Sequence, residues 1–299
     1  MLLAALPWLV LCYVLYFKYL ISILDATAHV LAHVALRLFT YRMKVVDHNL
    51  KLVFPEHTAA RNAEIKFLST KLALLNMFVG VHQRFLINEP EWLRAHVNDV
   101  PAPVFAALHQ DYAEKNCILI LPHFGMFYNM TSWYNVFRIN TCITYKLDNK
   151  LVESLIFHGR QFQGKIIGVN HRVFKSYMKG LYSGAKAPNL LDNQTFTILC
   201  DQNSNKSNQI RFLNQTGNFH TTPAVVHKKT NRAIWAGFIR YDFKLKRLHH
   251  EMIPVQRITD DTDEAVITQR IADLFTERIL AHPEQYFWLH NRFNFNPEA

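Results

Sequence analysis

Residues 117–130 read CILILPHFGMFYNM. Five apolar residues, Cys117–Leu121, run up to Pro122, which has no N–H for a strand ladder, and deliver a single histidine, His123, ahead of Phe124-Gly125. A short apolar run closed by a turn signal reads as a strand buried on both faces. His123 then stands at a strand-to-helix turn. There an imidazole can take the proton from an attacking hydroxyl, and the helix start that follows can stabilise a developing oxyanion. Gly125, in the same turn, is a substrate-binding candidate. The other reading of His123 is a residue that caps its strand through one hydrogen bond. A catalytic imidazole is normally held by a carboxylate, and no Asp or Glu occurs in the twenty residues after His123.

Outward from this stretch the pattern alternates. Strand-like runs recur at Phe196–Cys200 and Ala233–Tyr241, and helical spacing covers Thr58–Val79 and Thr262–Ala281. Strands separated by helices predict an α/β domain, a mixed sheet flanked by helices. In such sheets the binding crevice lies at the carboxyl ends of strands, and Asp201 follows its strand as His123 follows the first. Cys12, Cys117, Cys142 and Cys200 form no close pair and sit among apolar residues, which predicts buried, reduced thiols in a reducing compartment rather than a disulfide frame or metal site. His29 and His33 share a helical face but have no acidic or cysteine partner nearby, so no metal is assigned.

Half of the 299 residues are apolar, enough for a sizeable core, and no linker, repeat or low-complexity tract divides the chain. The net charge of +10 favours an anionic partner. The basic residues are scattered and no nucleic-acid motif is present, so a membrane surface ranks above nucleic acid. Leu2–Leu24 carries one charge, Lys18, and as a helix at about 1.5 Å per residue it spans a hydrocarbon layer of roughly 30 Å. No basic segment precedes it, and Trp8, Tyr13, Tyr16 and Tyr19 suit an interface, so it reads as a retained anchor rather than a cleaved signal. Arg37, Arg42 and Lys44 place the body on the cytoplasmic side. The expected division is an anchor region over 1–40 and a catalytic domain over 41–299.

Five blocks, in order, carry a resemblance. They are RMKVVDHNLKLVFPE at Arg42–Glu56, the strand-His-Phe-Gly block ending at Gly125, TYKLDNKL at Thr144–Leu151, the pair Asp201-Gln202, and HPEQYFWLHNRFNFNPE at His282–Glu298. Together they resemble the lipid A late acyltransferases, a branch of the glycerolipid acyltransferase group. The resemblance implies an inner-membrane enzyme of Gram-negative bacteria that moves an acyl chain from acyl carrier protein onto a hydroxyl of a lipid A precursor, without metal or organic cofactor. Both the carrier and the phosphorylated acceptor are acidic, which suits the basic charge.

By the resemblance His123 is the general base, but the acid expected five residues later falls on Tyr128. A phenol is a poor stand-in, because it cannot stabilise an imidazolium as a carboxylate does. Asp201 is the first candidate to replace it, with Asp148 and Glu153 behind. Lys146, Asn149 and Arg160 occupy substrate-binding positions of the family, where the cations would hold a phosphate or the carrier's arm, and Gln202 joins them. Phe212-Leu213-Asn214 stands where the family shows Phe-Phe-Gly, and Ala185–Gln194 looks like an insertion. Such departures point to a divergent donor, fatty acyl or aminoacyl, the family having an offshoot that transfers glycine. The rival expectation is an inactive homologue that binds lipid or scaffolds an envelope complex. The tail aromatics Tyr286, Phe287, Trp288 and Phe293 read as core, leaving His290 and Arg292 as its functional members, and His249 and His250 read as surface.

Overall fold

The structure, a computed structural model, describes residues 2–86, 101–114, 117–127, 141–145, 166–170, 176, 179, 195–202, 208–255 and 263–296. Helices α1 (Leu2–Leu38), α2 (Thr40–Val53), α3 (Ala59–Leu86) and α4 (Ala102–Ala113) precede strand β1 (Cys117–Leu121). Strands β2 (Thr141–Tyr145), β3 (Ile166–Asn170) and β4 (Thr195–Leu199) follow, then a hairpin of β5 (Ile210–Phe212) and β6 (Gln215–Gly217). Helix α5 (Thr222–Thr230), strands β7 (Ala233–Asp242) and β8 (Arg247–Pro254), helix α6 (Glu264–Ala281) and a short turn at Pro283–Gln285 complete the order.

The main sheet runs β3-β2-β4-β1-β7-β8. All neighbours are parallel except the β7–β8 hairpin at one edge, so the sheet is mixed and flanked by helices, as expected. The central strand shows why. Successive side chains of β1 point to opposite faces. Ile118 and Ile120 enter a core with α6 residues Ile267, Ile271 and Phe275, while Cys117, Leu119 and Leu121 enter a second core with Leu72 and Leu75 of α3. A strand buried on both sides must be apolar throughout, and each fully buried aliphatic side chain contributes about 1.5–3 kcal/mol.

Local signals set the boundaries. Asp263 caps α6 by accepting the Ala265 N–H at 2.8 Å. Leu213 and Asn214, at φ 51° and 61°, form the two-residue turn that joins β5 to β6, the left-handed pair such a hairpin requires. The Phe-Leu-Asn stretch is therefore a tight hairpin with Phe212 and Leu213 buried.

Leu20, Ile21 and Ala28 of α1, on the N-terminal side of the expected division at residue 40, are buried in the α3 core. Asp25, just past the expected anchor, is buried as well, 2.8 Å from Lys71 Nζ. His250 is not surface: Leu248, His250 and Met252 alternate inward along β8. Its basic neighbours in the sequence mask that alternation.

Candidate functional site

Along β1 and β4 the pairing keeps one offset, Ile118 opposite Phe196 and Leu121 opposite Leu199. Continued two residues beyond both strands, that offset sets His123 opposite Asp201. Their side chains meet. Asp201 Oδ1 lies 2.7 Å from His123 Nδ1, and Oδ2 accepts the His123 backbone N–H at 3.0 Å. Facing a carboxylate, Nδ1 carries the ring proton and Nε2 is left as the acceptor. The Gln202 side-chain amide donates to Nε2 at 3.1 Å. The rings of Phe127 and Phe287 flank the imidazole, with centroids at 4.8 and 6.2 Å.

Asp201 is fully buried. Burial pushes its carboxyl up. The charge of His123, hydrogen bonds from the His123 ring and backbone, and one from Tyr286 outweigh that, and the net displacement is below the ordinary value. The group is thus a carboxylate at neutral pH. Burial, reinforced by Asp201, pushes the Tyr286 phenol well above its ordinary value, so it keeps the proton that it donates.

Around this pair the backbone is clamped. The Phe287 N–H donates to the His123 carbonyl at 2.9 Å, Gly125 to Gln285 at 2.7 Å and Met126 to Ile239 at 2.7 Å. Asn76 closes the ring by donating to the Gly125 carbonyl at 3.0 Å. Gly125 sits at φ +57°, and a Cβ there would lie 1.8 Å from the Ile239 carbonyl oxygen, so only glycine fits. The sequence pattern assigns the helix start that follows His123 to an oxyanion and Gly125 to substrate. In the structure the Gly125 and Met126 amides serve protein carbonyls, and Gly125 is the point where two backbones touch.

Next to the pair lie His220, His290 and Arg292. Burial is the first cause that lowers both histidines below the ordinary imidazole value, which keeps them neutral at pH 7. Arg292 is buried, donates to the Asn218 carbonyl at 2.6 Å and stacks over Phe212 with its guanidinium carbon 5.3 Å from the ring centre. It also lines a cavity of about 230 Å³ with Leu52, Asn218 and Phe293.

The structure therefore brings together His123, Asp201 and Gln202. Tyr128, Lys146, Asn149 and Arg160 lie outside the described residues, as do Asp148, Glu153 and the Ala185–Gln194 segment. Tyr286, a core residue by its sequence context, is buried, yet its hydroxyl also serves Asp201, and its place in an aromatic run hides that second role. No cluster of three or more His, Cys, Asp or Glu fit to hold a metal occurs among the described residues.

An imidazole held by a buried carboxylate at the carboxyl ends of adjacent parallel strands is equipped to take a proton from a hydroxyl, the equipment of a group-transfer enzyme. The comparison with known families gives the same class. Residues 1–294 match the family described as bacterial lipid A biosynthesis acyltransferase, and the chain belongs to it. No curated protein matches the chain.

Proposed function

We propose that this acyltransferase moves an acyl group, fatty acyl or aminoacyl such as glycyl, from a carrier-protein thioester to a hydroxyl of lipid A or its precursor. It does so at the cytoplasmic face of the bacterial inner membrane. The observation that carries the reading is the His123–Asp201 pair, with Nε2 directed away from the carboxylate.

The acceptor hydroxyl displaces Gln202 from Nε2. As its oxygen attacks the thioester carbonyl carbon, its proton passes to Nε2. Asp201, ionised and buried, stabilises the imidazolium that forms. The tetrahedral oxyanion then collapses, the C–S bond breaks, and the departing thiolate takes the proton from Nε2. Base assistance of this kind contributes about 10²- to 10⁴-fold. The net charge of +10 draws an acidic carrier and a phosphorylated acceptor toward the chain.

The test is the purified full-length protein incubated with a lipid A precursor and a carrier protein loaded with either a fatty acyl or a glycyl group. Mass spectrometry should show one acyl group replacing one hydrogen of the lipid, and its mass identifies the donor. A folded protein that adds nothing from either carrier would overturn the reading in favour of an inactive lipid-binding homologue.

A further inference from the structure

Eight of the eleven large apolar side chains exposed among the described residues fall within one stretch, Tyr19–Tyr41. In α1 they recur at helical spacing, Tyr19, Ile23, Val30, Val34 and Leu38, and form one outward stripe. The opposite face carries Leu20, Ile21, Ala28, Ala32 and Ala35, all buried. Asp25 locks that face down, with Lys71 Nζ at 2.8 Å and the Tyr241 hydroxyl donating to it at 3.2 Å.

By length and hydropathy, Tyr19–Leu38 would pass as a membrane span. Its packing says otherwise. A crossing helix meets lipid or other spans all round, whereas this one is fixed to α3 and the sheet through Leu20, Ile21, Asp25 and Ala28, and to Phe67 of α3 through His29 and His33. Such a helix can meet lipid only from the side.

The stripe ends among cations. Arg37, Arg42 and Lys44 are exposed at the α1–α2 junction, beside the exposed rings of Phe39 and Tyr41. An apolar stripe bordered by basic residues matches an anionic bilayer surface in both chemistry and layout. The same helix continues N-terminally into the apolar run that begins at Leu2. From this junction α2 leads back to the site: Asn49 donates to the carbonyls of Trp288 and His290 at 2.9 Å each, holding the segment that carries Tyr286.

We propose that Tyr19–Tyr41 is an interfacial lipid-binding face. It lies in the plane of an anionic phospholipid surface, with its stripe against the acyl chains and Arg37, Arg42 and Lys44 at the headgroups. Any segment that enters the bilayer is then confined to the part of α1 before Tyr19. Because the helix is locked to the body, the face fixes the height and orientation of His123 above the membrane, where a lipid acceptor would arrive. The inference rests on the membrane location in the proposed function and is independent of the chemistry.

The test uses the full-length protein with Cys12 and Cys142 replaced by serine, the buried Cys117 and Cys200 being shielded from labelling. Single cysteines at Ile23, Val30, Val34 and Leu38 carry an environment-sensitive fluorophore. The protein is reconstituted in vesicles of equal parts phosphatidylethanolamine and phosphatidylglycerol, with quenchers placed at defined lipid depths. All four labels should show blue-shifted emission and quench most strongly at one common, shallow depth. A depth that changes steadily from Ile23 to Leu38 would mean that the helix crosses, and emission unshifted from water would mean that the face is not lipid-bound; either overturns the proposal. No step of the measurement needs turnover, so failure of the acyl-transfer reading leaves it untouched.

Discussion

Asp201 and Asp25 are both buried carboxylates, each 2.7–2.8 Å from a nitrogen that can carry positive charge, yet they sit in different kinds of site. Around Asp25 the cation is sealed: the Lys71 side chain is 8% exposed and points at the carboxylate. Around Asp201 the carboxylate is the sealed partner, at 1% exposure, while the His123 side chain keeps 16% and a second nitrogen free of it. A closed ion pair can only hold structure. A pair closed on one side and open on the other can hold structure and move a proton. The difference follows from residue type, since lysine spends its single nitrogen on the carboxylate and histidine has another to offer.

The widest separation between the two sites is expected in rate. His123→Ala should cut transfer by about 10²- to 10⁴-fold, and Asp201→Asn by a comparable factor, because the amide no longer fixes the tautomer. Steady-state kinetics on folded protein measures both. Tyr128→Phe should stay near wild type if Asp201 is the orienting acid. A severe Tyr128→Phe with a mild Asp201→Asn would reverse the assignment.

On the closed side the expected effect is in stability. Lys71→Met strands Asp25 without its close cation and should cost about 3–5 kcal/mol, read from denaturant unfolding. Lys246, at 4.0 Å and more exposed, and the Tyr241 hydroxyl, at 3.2 Å, stay beside Asp25 but do not supply a buried cation in direct contact. The double variant Asp25→Leu with Lys71→Met should recover most of that loss, since an apolar pair removes the stranded charge. If Lys71→Met were as stable as wild type, the two carboxylates would not differ as argued.

Much of this contrast is legible in the amino-acid sequence. The run Cys117–Leu121 names its own strand, and two strands each followed by a polar residue predict where the crevice lies, hence Asp201 as first candidate for the acid. What the sequence hides is what pairs through space. Asp25 marks the end of an apolar run and reads as the edge of an anchor, because its partner Lys71 lies on another helix. Asn76 and Gln285, which clamp Gly125, carry no local pattern at all. β2 and β3 escape notice although Thr141–Tyr145 and Ile166–Asn170 contain β-branched residues, because Thr141, Thr144, Gly168 and Asn170 break up the continuous apolar run that marks the equally short β1.

A third measurement sharpens the open site. Tyr286→Phe removes one hydrogen bond to Asp201 while keeping the ring in its core position, so kcat should fall about tenfold, the value of one charge-assisted bond. KM should stay unchanged, because the phenol touches neither substrate. Since Tyr286 is among the causes that lower the Asp201 carboxyl, the loss also moves that group upward. A carboxyl depressed in the folded state lends stability above its unfolded value and loses it as pH falls through the folded value. Tyr286→Phe should therefore begin to lose that share of stability at a higher pH than wild type in acid unfolding.

The smallest effect belongs to Gln202, which distinguishes two uses of the open nitrogen. In the structure its amide occupies Nε2, the atom that the acceptor hydroxyl must reach. If Gln202 is only a resting cap, Gln202→Ala removes a competitor, a neutral hydrogen bond whose net value is about 0.5–1.5 kcal/mol. The acceptor KM should then fall by no more than about tenfold, with kcat nearly constant. If the displaced amide instead swings to the oxyanion, its loss would appear in kcat at about 10²-fold or more, as for other oxyanion donors. The commitment of the Gly125 and Met126 amides to protein carbonyls leaves room for such a donor, but it does not require one. With Gln202 drawn onto the imidazole, we expect the KM effect, and a hundredfold loss of kcat in Gln202→Ala would transfer the residue from cap to catalyst.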